Sequence, residues 1–173
     1  MPARPARWRH VIPMPDRIVI RRERPDQPDV MALLDALDSY LASLYAPEAN
    51  HILDVQALLA PEIAFFVARD EGRAVATGAI RRMAGDSEAG AAPFGEIKRM
   101  YVDPARRGEG IAERVLSELE QTLRAEGYGL ARLETGRHQL EAVRLYKRCG
   151  YASCAPFGGY PDNGQSIFYG KAL

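Results

Sequence analysis

The sequence predicts one mixed α/β (α+β) domain, in which a sheet of about six to seven strands is covered by about four helices. Strand-like segments follow one another in the first half of the chain, whereas they alternate with helical segments in the second half. Successive strands favour antiparallel pairs and crossover helices favour parallel ones, so the sheet is expected to be mixed. The 173 residues, 47% of them hydrophobic, can bury a core without covalent staples. We expect a single domain over residues 17–173, after an arm of residues 1–16.

The charge and cysteine content exclude several classes of protein. Lys and Arg total 23, as do Asp and Glu, so the molecule lacks the net field that attracts nucleic acid or anionic membranes. Cys149 and Cys154 stand outside any CxxC or Cys/His array, so neither a disulfide framework nor a metal site is expected. No apolar run approaches the roughly 20 residues that span a bilayer, and no signal peptide is visible. These features predict a cytoplasmic protein that binds neither nucleic acid nor membrane.

The first half of the chain contains an arm, a strand, a helix and a hairpin. Residues 1–16 hold four prolines and three arginines, a composition that predicts a flexible arm. Asp29 is the predicted N-cap of an amphipathic helix that runs from Val30 to about Tyr45 with apolar residues at three- and four-residue spacing. The other predicted elements are a strand over 17–24, a short helical turn over 54–59, and paired strands over 63–69 and 74–83.

The second half alternates strands with two amphipathic helices. A strand over 94–102 ends at Asp103-Pro104, because proline cannot donate to a ladder. A helix with one apolar stripe begins at Ile111 and ends near Gly127. The remaining predicted elements are a strand over 130–135, a helix over 139–149 closed by Gly150, and strands over 151–155 and 165–171.

A glycine loop separates the strand at 94–102 from the helix that follows. Residues 107–112 read Arg-Gly-Glu-Gly-Ile-Ala, which has the form R-x-x-G-x-A. The first turn of a helix has unpaired N–H groups and a partial positive charge, so it can hold a phosphate. Gly108 and Gly110 let the backbone approach that phosphate and permit φ values closed to other residues. By itself the loop predicts an anion site, and a solvated basic corner is the alternative.

Two motifs in sequence order resemble signatures of the GNAT N-acetyltransferase superfamily. The loop resembles the pyrophosphate-binding signature Q/R-x-x-G-x-G/A, and residues 141–151 resemble the signature A-x-x-L-Y-x-x-x-G-F/Y. The resemblance covers about residues 63–171, while the helical N-terminal third matches in layout only. It implies a splayed GNAT-type sheet and an N-acetyltransferase that uses acetyl-CoA. The implied acceptor is a primary amine of a small molecule or peptide, which attacks directly in a ternary complex.

The resemblance also implies which residues bind the cofactor. The strand at 96–102 should splay from the strand at 130–135, so that the Val102 backbone pairs with pantetheine and the Met100 N–H meets the thioester carbonyl. Gln139 stands where the family often has Asn, which leaves open whether the usual hydrogen bond to pantetheine is made. The expected cofactor-binding residues are Met100, Tyr101, Val102, Arg106, Arg107, Gly108, Glu109, Gly110, Ile111, Ala112, Gln139 and Tyr146.

Tyr146 is the expected catalytic acid. It matches the family tyrosine near the thiol sulfur, which is implied to protonate the leaving thiolate. The alternative is a core tyrosine, because Tyr146 also lies in an apolar helical stripe.

A base or a water relay must accept the proton of the amine, and two glutamates are the candidates for the base. Glu96 comes first, because some histone-acetylating members of the superfamily hold their base at this place. Strict alternation along the strand would also put Glu96 on the same face as Met100. Its alternative is an ion pair with Lys98 or another surface cation. Glu134 is the second candidate, and its alternative is a pair with a neighbouring arginine, Arg132 or Arg137.

The acceptor site is implied to lie opposite the cofactor, with aromatic walls and a carboxylate that suits an amine. The expected substrate-binding residues are Tyr45, His51, Phe157, Tyr160 and Asp162. Residues 156–164 could equally be simple turns. Two other functions stay open, namely a transferase for another acyl group or an oxygen acceptor, and a non-catalytic CoA-binding regulatory module. A homodimer is compatible with the sequence.

Overall fold

The computed structural model describes residues 17–46, 52–85, 91–160 and 164–173. The predicted arm at 1–16 lies outside these residues, as do two of the expected substrate-binding residues, His51 and Asp162.

The described residues form a seven-stranded mixed sheet with four α-helices, which confirms the predicted class. The strands are β1 (Ile18–Arg22), β2 (Ile63–Asp70), β3 (Arg73–Met83), β4 (Phe94–Val102), β5 (Leu130–Gly136), β6 (Ala152–Ser153) and β7 (Ser166–Ala172). The helices are α1 (Pro28–Leu44), α2 (Val55–Leu58), α3 (Ile111–Ala125) and α4 (Leu140–Arg148). The strand order is β1-β2-β3-β4-β5-β7-β6, and the pairing of β4 with β5 is parallel, whereas the others are antiparallel.

Helix α1 begins earlier than the sequence predicts. Its first residue is Pro28, whose missing N–H costs nothing in a first helical turn, and its N-cap is Gln27 rather than Asp29. The Asp29 carboxylate instead accepts hydrogen bonds from Arg69 Nη1 at 2.7 Å and from the Ala74 N–H at 3.2 Å. The prediction of an Asp29 cap was wrong because these long-range partners hold the side chain.

Two hydrophobic clusters cover the two faces of the sheet. In β2 the side chains of Ala64, Phe66 and Ala68 join a cluster with α3 and α4, while Phe65 and Val67 join a cluster with α1 and α2. This alternation follows from the period of two along a strand, and it explains why β2 reads as a continuous apolar run. A third, smaller cluster contains Phe94, Phe157 and Phe168.

Strands β4 and β5 diverge soon after they begin. Their parallel pairing joins Gly95 to Ala131 and Glu96 to Arg132, whereas β5 pairs with β7 through seven residues. Gly95 permits the close packing at this point, since a Cβ there would lie 2.2 Å from Leu123 Cδ2. The splay expected from the family resemblance is therefore present, and it opens the centre of the sheet beyond Glu96.

A β-bulge interrupts β4 at Arg99. Thr77 of β3 pairs with Tyr101 and Ala79 pairs with Lys98, so β4 holds an extra residue, and Arg99 has φ of 56°. The Thr77 hydroxyl donates to the Arg99 carbonyl at 2.9 Å and holds the bulge in place.

The bulge reverses the alternation of side chains in the second part of β4. Met100 points toward α3, because a Cβ on Gly78 would lie 2.9 Å from Met100 Sδ and 2.7 Å from Val115 of that helix. Arg99 reaches the other way, to Asp38 of α1. The expectation that Glu96 shares a face with Met100 was wrong, since it assumed an unbroken strand.

None of the helices in the described ranges is long and apolar enough to cross a membrane.

Candidate active site

Two cavities meet where β4 and β5 separate. The first, called the outer cleft, has a volume of about 520 Å³ and runs from the 107–112 loop along the end of β4 to α4. The second, called the inner cavity, has a volume of about 100 Å³ and lies between α1, β4, β5 and the start of β7. Four residues line both, namely Leu37, Met100, Gln139 and Tyr146. A reactive group carried in one cavity would therefore be in reach of a molecule in the other.

The glycine loop forms one end of the outer cleft. Gly108 has φ of 82° and Gly110 has φ of 74°, and Gly110 is the N-cap of α3. A Cβ added at either glycine would meet no atom within 4 Å, so the conformation rather than crowding requires glycine. The space in front of the loop is open to a ligand, and the first turn of a 15-residue helix faces it. This geometry fits a diphosphate group.

The two arginines of the loop are held differently. Arg106 donates to Glu109 at 2.8 Å and to Asp70 at 2.7 Å, and these carboxylates raise its pKa above the usual value. Arg107 makes looser contacts, with its guanidinium 5.7 Å from the centre of the Tyr101 ring and its Nε 3.4 Å from the Val102 carbonyl oxygen. Arg106 is therefore fixed in the wall of the cleft, while Arg107 can reorient toward an anion.

Most other expected cofactor-binding residues line the outer cleft. Met100, Tyr101 and Val102 contribute the end of β4, where the strand has no partner from β5. Ile111 and Ala112 contribute the start of α3, and Ile111 is also buried in the core. Glu109 is the exception, because it does not line the cleft and instead holds Arg106.

Gln139 closes the turn between β5 and α4. Its Oε1 accepts from the Gly136 N–H at 2.9 Å and from the Thr135 hydroxyl at 3.2 Å. The amide oxygen thus stabilises the turn, while the side chain still lines both cavities.

Tyr146 stands at the junction of the two cavities. Its ring packs against Tyr151 and Tyr169 with centroid distances of 5.8 Å and 6.4 Å, so it is a core tyrosine that also lines both cavities. Burial raises the pKa of the phenol well above its usual value, and the negative charge of Glu134 adds to the effect. The hydroxyl therefore stays protonated at neutral pH and can donate.

The two candidate bases occupy different surroundings. Glu96 is 1% exposed and lines neither cavity, and its Oε1 is held by Lys98 Nζ at 3.2 Å and by the Tyr160 hydroxyl. Glu134 lines the inner cavity and accepts from the Ser166 hydroxyl at 2.5 Å. Geometry therefore places Glu134, the second candidate, in the wall of the inner cavity and encloses Glu96 in an ion pair.

The expected substrate-binding aromatics are divided between the cavity and the core. Tyr45 lines the inner cavity, and its hydroxyl accepts from the His138 N–H at 2.9 Å. Phe157 is buried in the third cluster, with its ring 5.3 Å from that of Phe94, and lines neither cavity. Tyr160 also lies behind the cavity wall, where its hydroxyl accepts from Lys98 Nζ at 2.6 Å.

Several residues that line the inner cavity were not expected from the sequence. Lys98 and Arg99 line it from β4, Ser166 from β7, and Ile52 from the segment before α2. Two adjacent cations, together with Glu96, in a central strand are the signal that could have drawn attention to β4, because charged side chains are seldom buried unless they are paired. Within the described ranges, no group of three or more His, Cys, Asp or Glu side chains could hold a metal ion.

The splayed sheet, the glycine loop and the cleft between them define an acyl-CoA-dependent acyltransferase. The profile described as the Acetyltransferase (GNAT) family matches residues 30–151, which is more than half of the chain. The chain therefore belongs to the GNAT family. It is an acyl-CoA-dependent acetyltransferase, and acetyl-CoA is its cofactor.

Similar proteins agree with this assignment. An IAA acetyltransferase of Azospirillum brasilense is 44% identical over 156 residues, which cover 90% of this chain and 98% of that protein. A crystal structure of a presumed acyl-CoA N-acyltransferase from Klebsiella pneumoniae is 34% identical with a TM-score of 0.71, and covers 90% of this chain and 97% of that one. A GNAT family acetyltransferase from Elizabethkingia anophelis, solved with acetyl-CoA bound, shares the fold at 15% identity with a TM-score of 0.61, over 91% of this chain and 99% of that one.

Proposed function

We propose that the chain transfers the acetyl group of acetyl-CoA to a primary amine of a small molecule or peptide, by direct attack within a ternary complex. The meeting of the outer cleft and the inner cavity at Met100 and Tyr146 carries this proposal, because cofactor and acceptor would approach the same point from opposite sides. Cys149 and Cys154 lie within the described residues and line neither cavity, which favours direct attack over an acyl-cysteine intermediate.

Glu134 is the proposed base. An ammonium group in the inner cavity would pair with the Glu134 carboxylate and would lose a proton before its nitrogen attacks the thioester carbon. General-base catalysis of this kind contributes roughly 10²- to 10⁴-fold. The hydroxyl of Ser166, which also lines the inner cavity, donates to this carboxylate at 2.5 Å and orients it.

Tyr146 is the proposed acid. As the new C–N bond forms, the C–S bond breaks and the sulfur takes a proton, so that the products are an amide, free CoA and one released proton. The buried phenol of Tyr146 keeps its proton at neutral pH and lies at the junction where the sulfur would be. The backbone N–H of Met100 is the proposed donor to the thioester carbonyl oxygen, and Val102 is the proposed backbone partner of pantetheine.

A thiol-release screen tests the proposal. The purified chain is mixed with acetyl-CoA and a panel of small amines, amino acids and short peptides, and free CoA is measured together with the mass of the acetylated product. We expect at least one amine to be acetylated in proportion to the CoA released. Tight binding of acetyl-CoA in calorimetry with no acetylation of any amine would contradict the proposal and favour a non-catalytic CoA-binding module.

A further inference from the structure

Arg99 is an unusual member of the inner cavity wall. It occupies the bulge of β4 with φ of 56°, a backbone conformation that residues other than glycine, asparagine and aspartate seldom adopt. Its side chain is only 5% exposed, yet it lines the cavity. Such local strain persists where the surrounding structure holds it, often at functional sites.

The hydrogen bonds of Arg99 are incomplete. Its Nη1 donates to Asp38 Oδ1 at 2.5 Å, which balances the charge and ties the bulge to α1. Its buried Nε has no hydrogen-bond partner among the residues that the structure describes. A guanidinium has five N–H donors in a planar fork, and a buried donor without a partner is unfavourable until an acceptor oxygen arrives.

From these observations we infer that Arg99 binds a carboxylate of the acceptor, so that the acceptor is an amine that also carries a carboxylate, as an amino acid does. The inference rests on the proposed amine acetyltransferase function and specifies its substrate class. A carboxylate offers two oxygens in one plane and matches the guanidinium fork.

The other walls of the inner cavity fit the remaining parts of such a molecule. The charged residues that line it are Lys98, Arg99 and Glu134. Lys98 is already engaged with Glu96 and Tyr160, at 3.2 Å and 2.6 Å, which leaves Arg99 for the carboxylate and Glu134 for the ammonium group. An apolar side chain would lie against α1 and the segment before α2, where the lining residues are Leu37, Leu41 and Ile52.

A matched set of acceptors tests this inference. Leucine, leucinamide and isoamylamine share an apolar side chain and an amine, and only leucine carries a carboxylate. We compare kcat/KM for the three in the wild type, in Arg99→Gln, and in Arg82→Gln. Arg82 is the matched control, because it is a partly buried arginine of the same sheet that pairs with Glu126 and lines neither cavity.

We expect the wild type and Arg82→Gln to prefer leucine over leucinamide and isoamylamine by at least about tenfold, the usual size of a charged hydrogen bond. In Arg99→Gln the value for leucine should fall by more than about tenfold while those for the other two change little. Equal turnover of leucine and leucinamide by the wild type, or an unchanged preference in Arg99→Gln, would overturn the inference while leaving amine acetylation intact.

Direct binding separates this inference from the proposed function. Isocaproate is leucine without its amine, and isocaproamide is the matching amide, so neither depends on acetyl transfer. Calorimetry on the CoA-saturated chain should detect binding of isocaproate to the wild type and to Arg82→Gln, and no binding to Arg99→Gln. If no amine is acetylated, this binding still decides the role of Arg99, because equal or absent binding of both probes would refute it. If Arg99→Gln does not fold, as judged by its Tm and its acetyl-CoA affinity, the affinities of the wild type for isocaproate and isocaproamide decide whether the chain binds a carboxylate.

Discussion

The outer cleft and the inner cavity are built from different parts of the chain. The glycine-loop end of the outer cleft comes from one continuous segment, the end of β4 and the loop into α3, and its shape depends on the backbone conformations of two glycines. The inner cavity is built from side chains on α1, β4, β5, α4 and β7, which are far apart in sequence. The first cavity is therefore specified locally and the second by tertiary packing, so a change in one can leave the other intact.

The largest effect that separates the two cavities is expected for Glu134→Gln. Loss of the base should lower kcat by roughly 10²- to 10⁴-fold. The affinity for acetyl-CoA should not change, because Glu134 does not line the outer cleft. Steady-state kinetics and calorimetry measure the two quantities. Glu96→Gln is the comparison variant, for which we expect a smaller loss of kcat and a lower Tm, since Glu96 is buried with Lys98 and Tyr160. A larger loss of kcat in a folded Glu96→Gln would reverse the assignment.

The next effect is expected for Gly110→Val, which acts on the outer cleft. A left-handed conformation costs a residue with a side chain about 1–2 kcal/mol, and the added atoms would fill the space in front of the loop, so acetyl-CoA should bind more than about tenfold more weakly. Gly127→Val is the control, because Gly127 has φ of 85° and open space around it but lies at the other end of α3. The Tm of both variants should fall by a similar amount, and only Gly110→Val should bind acetyl-CoA more weakly in calorimetry. Equal affinities in the two variants would remove the loop from the cofactor site.

Tyr146→Phe should lower kcat by only about tenfold, because a thiolate is a weak base and leaves with less need of protonation than a more basic leaving group. Tyr151→Phe is its control, as Tyr151 is a neighbouring buried tyrosine that lines neither cavity. Burial raises the pKa of Tyr146, so its protonated form persists as pH rises and is lost only above the usual tyrosine value of about 10. Below about pH 10, the pH profiles of kcat for the wild type and Tyr146→Phe should therefore have the same shape, with no fall in the wild type alone. Such a fall would show that the phenol ionises earlier than the structure implies.

The smallest effect is expected for Gly136→Ala, which alters a wall of the inner cavity. A Cβ at Gly136 would lie 2.0 Å from the Tyr45 hydroxyl oxygen, so the ring must move. We expect KM for the amine to rise by roughly fivefold, the equivalent of about 1 kcal/mol, while acetyl-CoA affinity stays the same. Gly129→Ala, where a Cβ would meet no atom within 4 Å, should change neither quantity. An altered acetyl-CoA affinity in Gly136→Ala would mean that the two cavities are coupled through Tyr45.

The glycine-loop end of the outer cleft could be predicted from the sequence because its signals are local. Gly108 and Gly110 stand between a strand pattern and a helix pattern, and their φ values, the start of α3 and the cleft follow from that order. The different roles of the two arginines could not be predicted, because no sequence pattern indicates that Arg106 is held by Asp70 while Arg107 is loosely held.

The inner cavity could not be predicted in the same way. Phe157 and Tyr160 read as wall residues of a turn-rich loop, yet Phe157 packs on Phe94 and Phe168, and Tyr160 binds Glu96 and Lys98. Arg99 reaches the cavity through a bulge that adds one residue to β4, and no turn residue or glycine marks that position in the sequence. A one-residue change of register exchanges the two faces of a strand, so a prediction from strict alternation assigns every later side chain to the wrong side.

The sequence alone determined the order of strands and helices, the glycine loop, and the two motifs that indicate an acetyl-CoA-dependent transferase. These features depend on periodicity and on backbone conformations that a few neighbouring residues specify. Only the tertiary structure decided which carboxylate meets the inner cavity, that Glu96 is enclosed in an ion pair, and that Arg99 lines this cavity with a buried Nε that has no partner among the described residues. Those outcomes depend on the bulge in β4 and on the divergence of β4 from β5, which arise from contacts between segments distant in the chain.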